Sequence, residues 1–139
     1  MTKIYRLIFI LPIVFLGCTS NVVKEKKVIQ KIASLDMNIF SQEGDKLYTI
    51  ISPNSSYNNN ELRFELKNPT INIFKGEEIK YIISADNSTL SDNNKLLKLQ
   101  GNVKLITPKQ DEDILYADEF YWNIEETKYL LEGNIRFEN

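Results

Sequence analysis

Leu97-Lys98-Leu99-Gln100-Gly101-Asn102-Val103-Lys104-Leu105 returns 32 positions later as Tyr129-Leu130-Leu131-Glu132-Gly133-Asn134-Ile135-Arg136-Phe137. In the first copy Leu97, Leu99, Val103 and Leu105 alternate with Lys98, Gln100, Asn102 and Lys104. A period of two, rather than 3.6, is the pattern of a strand with one face in a core and the other in water. The same shift carries Ile71 and Ile73 onto Val103 and Leu105, and Ile82-Ile83-Ser84-Ala85-Asp86 onto Ile114-Leu115-Tyr116-Ala117-Asp118. Ser88 and Leu90 then fall on Phe120 and Trp122 without a gap. One period earlier, Ile50-Ile51-Ser52-Pro53-Asn54 is a weaker echo. The chain therefore holds two clear repeat units and one degraded unit.

Outward from these units, Leu115 and Ala117 share one parity and Phe120 and Trp122 the other, so a bulge between Ala117 and Phe120 is needed if all four face inward. The same switch is expected between Ala85 and Leu90. Further strands are expected over 47–52 and around Leu62, Phe64 and Leu66, with Pro69 bending or ending the pairing. The segments 54–60, 91–94 and 109–113, rich in Asn, Asp and Ser, read as connections. The sum is about eight strands and no substantial helix. One repeat cannot bury its apolar face alone, so units stack into an elongated all-β roll of antiparallel strands with one continuous interior. Such a roll ends in open edges. The segment 129–137 carries charge only at Glu132 and Arg136, which makes it a natural place for a partner to add a strand.

The rest of the 139-residue composition narrows the chemistry. Histidine is absent, which removes Ser-His-Asp and Cys-His nucleophile systems and every histidine metal ligand. One cysteine makes neither an internal disulfide nor a thiolate zinc site. A net charge of −2 leaves no basic footprint for a phosphate backbone, and no nucleic-acid partner is expected. Residues 1–17 place Lys3 and Arg6 before an apolar run from Leu7 to Leu16, the layout of a secretory signal and short of the roughly 20 residues of a spanning helix. The run closes on Phe15-Leu16-Gly17-Cys18, which resembles a bacterial lipobox. Cys18 is then the lipid-modified residue, residues 18–31 a polar tether containing Lys24-Glu25-Lys26-Lys27, and 32–139 the folded domain. Asp86 and Asp118 occupy equivalent positions, and are read as turn or bulge residues that bond local backbone rather than as an acid/base or calcium pair.

The Leu-x-Gly-Asn-Val element, the Ala-Asp element and their alternation resemble the LptC family of lipopolysaccharide-transport proteins, over residues 32–139. The resemblance implies a β-jelly-roll, no enzymatic activity and no cofactor. It implies an interior that holds the acyl chains of lipopolysaccharide, received from an inner-membrane ABC transporter and passed edge to edge to an LptA-like periplasmic bridge. The protein is then held to the periplasmic side of the inner membrane through its acyl anchor. Carried onto this sequence, the interior positions are Ile71, Ile73, Ile83, Ala85, Leu90, Leu97, Leu99 and Val103, continuing through Leu105, Leu115, Ala117, Phe120, Trp122, Leu131, Ile135 and Phe137. The partner edge is Tyr129, Leu131, Gly133, Ile135 and Phe137. The other reading is a structural lipoprotein whose filled roll docks partners without carrying lipid.

Overall fold

Alternation at period two leaves each strand one apolar face, and the chain resolves this by folding a single antiparallel meander into two facing walls. The computed structural model describes residues 28–108, 112–126 and 128–139. Its strands are Ile29–Ile32 (β1), Leu35–Phe40 (β2), Lys46–Ser52 (β3), Asn54–Asn58 (β4), Arg63–Lys67 (β5) and Thr70–Lys75 (β6). They continue as Glu78–Ser84 (β7), Asn87–Ser91 (β8), Leu96–Thr107 (β9), Asp113–Asn123 (β10), Lys128–Glu132 (β11) and Arg136–Glu138 (β12). Most of these segments are halves of longer, bent strands, which is why twelve appear where about eight were expected. One wall runs β1-β4-β5-β8, then the first half of β9, the second half of β10, and β11. The other runs β2-β3-β6-β7, then the second half of β9, the first half of β10, and β12.

The bends are where the repeat predicts a parity switch. Register shifts between Ala117 and Glu119, where Gly101 and Asn102 of β9 bulge opposite the single residue Asp118 of β10. In the preceding unit the strand is interrupted between Ser84 and Asn87. Asp86 N–H donates to the Gly101 carbonyl at 2.9 Å, and Asp118 N–H to that of Gly133 at 2.9 Å. The amide of Asn102 donates to Asp86 Oδ2 and that of Asn134 to Asp118 Oδ2, each at 2.7 Å. Gly101 and Asn102 both take positive φ, 78° and 48°, and Gly133 and Asn134 repeat this at 72° and 41°. Each Gly-Asn pair is thus a corner at which a strand leaves one wall for the other, locked to the Asp corner of the neighbouring strand. The expectation that the aspartates bond local backbone is corrected: each carboxylate accepts from the asparagine side chain at the corner of the neighbouring strand. Asn68, φ 47°, turns the chain ahead of Pro69 between β5 and β6.

Between the walls the inward side chains stack in ladders. Phe64, Leu90, Leu97, Trp122 and Tyr129 are in register across one wall, as are Leu66, Ser88, Leu99, Phe120 and Leu131. Across the other, Met37, Ile50, Ile71, Ile83, Leu105, Leu115 and Phe137 align. The Tyr48 and Trp122 rings meet edge-on from opposite walls with centroids 5.1 Å apart, which joins the two layers.

Three further expectations are corrected. The segment 54–60 is not simply a connection, because Asn54–Asn58 pairs with β1 on one side and β5 on the other. The stretch 129–137 is not one strand, since Gly133 and Asn134 turn it between β11 and β12. Ile135 and Phe137 are not buried: they are 58% and 59% exposed, and among the described residues β12 pairs only with β10, so its far side is uncovered. The first strand also begins at Ile29, inside the tract read as a tether. The signal segment, Lys24–Lys27 and Cys18 lie outside the described residues.

Candidate functional site

Apolar ladders on facing walls either pack against each other or leave space between the walls. The interior shows both conditions. Ile71, Leu90, Leu97, Leu99, Val103, Ala85 and Ala117 are buried in a packed core with Ile50 and Leu66. Towards β11 and β12 the walls part around a cavity of about 520 Å³, within the range of small-molecule sites. Seven of the interior positions line it: Ile73, Ile83, Leu105 and Leu115 from one wall, Phe120, Trp122 and Leu131 from the other. The sequence-predicted set is thus divided into a solid part, a cavity surface, and the two exposed residues Ile135 and Phe137.

Five further lining residues were not singled out for the interior: Phe74, Lys75, Lys80, Tyr81 and Tyr129. Tyr129 was assigned to the edge, and it serves both places. It is 65% exposed, yet its ring stacks on Phe120 with centroids 6.0 Å apart. Tyr81 was legible in principle, since it shares the parity of Ile83 and pairs with Ile73. Lys80 was not. A register shift between Ile73 and Phe74 makes Lys80 an extra residue opposite no partner, and no glycine or proline marks the place.

The electrostatics of the cavity are simple. Ten of its twelve lining residues are uncharged, and the two that carry charge, Lys75 and Lys80, are both cations. Burial pushes the Tyr48 phenol above its ordinary value, so it stays neutral beside Trp122. Ser88 Oγ is buried in its ladder with no hydrogen-bond partner among the described residues. On the outer face Glu119 gathers the Tyr121 hydroxyl, the Gln100 amide at 2.8 Å and the Lys98 ammonium at 3.4 Å. The Tyr121 hydroxyl, then the Gln100 amide, hold its carboxyl below the usual range. Among the described residues no group of His, Cys, Asp and Glu side chains is arranged to hold a metal.

At the edge expected to meet a partner, β11 and β12 pair only with β10, and their other side is unpaired among the described residues. Tyr129, Ile135 and Phe137 are exposed there together with Leu130, Leu131 is partly buried, and Gly133 forms the corner. A comparison with curated proteins finds no match. The family described as lipopolysaccharide-assembly, LptC-related matches residues 16–129. Bent antiparallel walls, an apolar interior and that match agree, and the chain belongs to the LptC family, a non-enzymatic component of lipopolysaccharide transport.

Proposed function

We propose that the cavity between the walls holds acyl chains of lipopolysaccharide while the molecule passes between an inner-membrane ABC transporter and an LptA-like bridge. Family membership gives the coarse role, a part in lipopolysaccharide transport with Lpt-system partners at the periplasmic face of the inner membrane. The observation that carries the finer reading is the cavity itself: an apolar void of about 520 Å³ lined from both walls and placed beside an unpaired sheet edge. Each methylene withdrawn from water there contributes about 0.8 kcal/mol. Transfer then needs no chemistry in this chain, only a next trough of higher affinity and an ATPase elsewhere to load the first. The β11 and β12 edge continues the sheet into the next β-roll, so that the two interiors join. Cys18, acylated, keeps the domain at the membrane; two or more acyl chains give stable attachment where one gives marginal binding.

Native mass spectrometry of the protein from a lipopolysaccharide-producing host tests this. Bound glycolipid is expected, and Trp122→Asp is expected to abolish it while the β-sheet circular dichroism persists. A lipid-free protein that also refuses added lipopolysaccharide would instead make the roll a docking scaffold.

A further inference from the structure

The cavity has chemistry as well as shape. Its surface is apolar except at one end, where the β6–β7 hairpin contributes Lys75, the last residue of β6, and Lys80 of β7. Both are exposed, and neither has an ion-pair partner among the described residues. Glu77, in the turn, and Glu78, which is in register with Lys75 across the hairpin, do not line the cavity. The placement of Lys80 comes from the bulge in β7. As the extra residue of the bulge, it is set beside Tyr81 on the cavity wall rather than opposite it, and its ammonium lies 4.9 Å from the Tyr81 ring centroid. Bulges re-aim side chains in this way next to binding sites. A third cation, Lys46, lies over the ring of the lining residue Phe74 at 5.4 Å.

An apolar void with cations at its rim fits an amphiphile whose head is negative. Resting on the acyl-chain reading above, we infer that Lys75 and Lys80 bind an anionic group, phosphate in character, on the headgroup of the lipid whose chains fill the cavity. The lysines then set how deep the lipid sits and favour anionic over neutral lipids of equal chain content. Lys46 adds to the local positive field without lining the site.

Trp122 is the chain's only tryptophan and lines the same cavity, so its fluorescence reports occupancy. The test titrates the full chain in detergent with diphosphoryl lipid A and with the same acylated disaccharide stripped of phosphate, for wild type, Lys75→Gln/Lys80→Gln and Lys75→Arg/Lys80→Arg. The glutamine variant is expected to bind the phosphorylated lipid about tenfold more weakly, the scale of two exposed ion pairs, and the stripped lipid unchanged. The arginine variant is expected to retain the preference, and added salt to erase it in wild type. A glutamine variant that binds both lipids as wild type does would overturn the role of the lysines and leave the cavity reading intact. No Trp122 response to either lipid in wild type would overturn both.

Discussion

Gly101 sits where a side chain meets two obstacles at once. Its φ of 78° is strained for any L-residue, and a Cβ there would lie 2.8 Å from Asp86 Oδ2, the oxygen that holds Asn102. Gly101→Ala is expected to cost about 1–3 kcal/mol in urea unfolding. Gly44→Ala, also at positive φ but with nothing within 4 Å of the new atom, is expected to cost less. The glycine's importance was legible as a gap in an alternating strand. Its contact was not, because the Asp corner it meets belongs to a neighbouring strand and no local pattern joins the two. Glu119 offers a pH handle of known sign. Its folded pKa is depressed, chiefly by the Tyr121 hydroxyl, so its contribution to stability is present above the unfolded value and is lost as pH falls through the folded one. Glu119→Gln is therefore expected to flatten the acid limb of a stability-against-pH curve while leaving its shape at neutral pH unchanged.

Strands with a regular apolar alternation were legible because period two is a local property. Their bends were partly so: the parity switch at Ala117 to Phe120 located the irregularity at Asp118, where the bulged pair Gly101-Asn102 of β9 faces it, whereas the bulge at Lys80 left no trace in composition. The polar strand β4 was misread as a connection because Asn and Ser favour turns in isolation. Tertiary pairing overrides that preference. β4 is flanked by β1 and β5, and the neighbouring Ser52 hydroxyl lies 2.8 Å from both the Asn54 and the Lys67 carbonyl oxygens, between which its one proton is shared. The β11 edge offers the element-scale test of partner joining. Leu130 is 54% exposed and does not line the main cavity. A lysine on an open edge discourages strand addition. Leu130→Lys is expected to weaken binding to an LptA-like partner in surface plasmon resonance by about tenfold, with folding stability changed by less than about 0.5 kcal/mol. Unaltered partner binding would place the junction elsewhere.

At the scale of the whole molecule, one antiparallel meander makes both a closed core and an open cavity. The closed part lies where each ladder has neighbours on both sides, around Ile50, Leu66, Ile71 and Leu99. The open part reaches to β11, where Tyr129 and Leu131 have a ladder neighbour on one side only. The division between packing and cavity was not legible in the sequence, because Leu99 and Leu105 look alike as alternating leucines of one strand. What separates them is their place on the two walls: Leu99 faces a filled space and Leu105 an empty one. The central claim is that acyl chains occupy that space, and adjacent positions of β9 test it by parity. A photo-crosslinking residue at 105 points into the cavity, whereas Lys104 is in register with Ser84 and Tyr116 on the opposite face. In lipopolysaccharide-producing cells, ultraviolet light is expected to attach lipopolysaccharide at 105 and not at 104. Lipid adducts absent from 105 in a folded, normally expressed protein, or equal at both positions, would contradict the account.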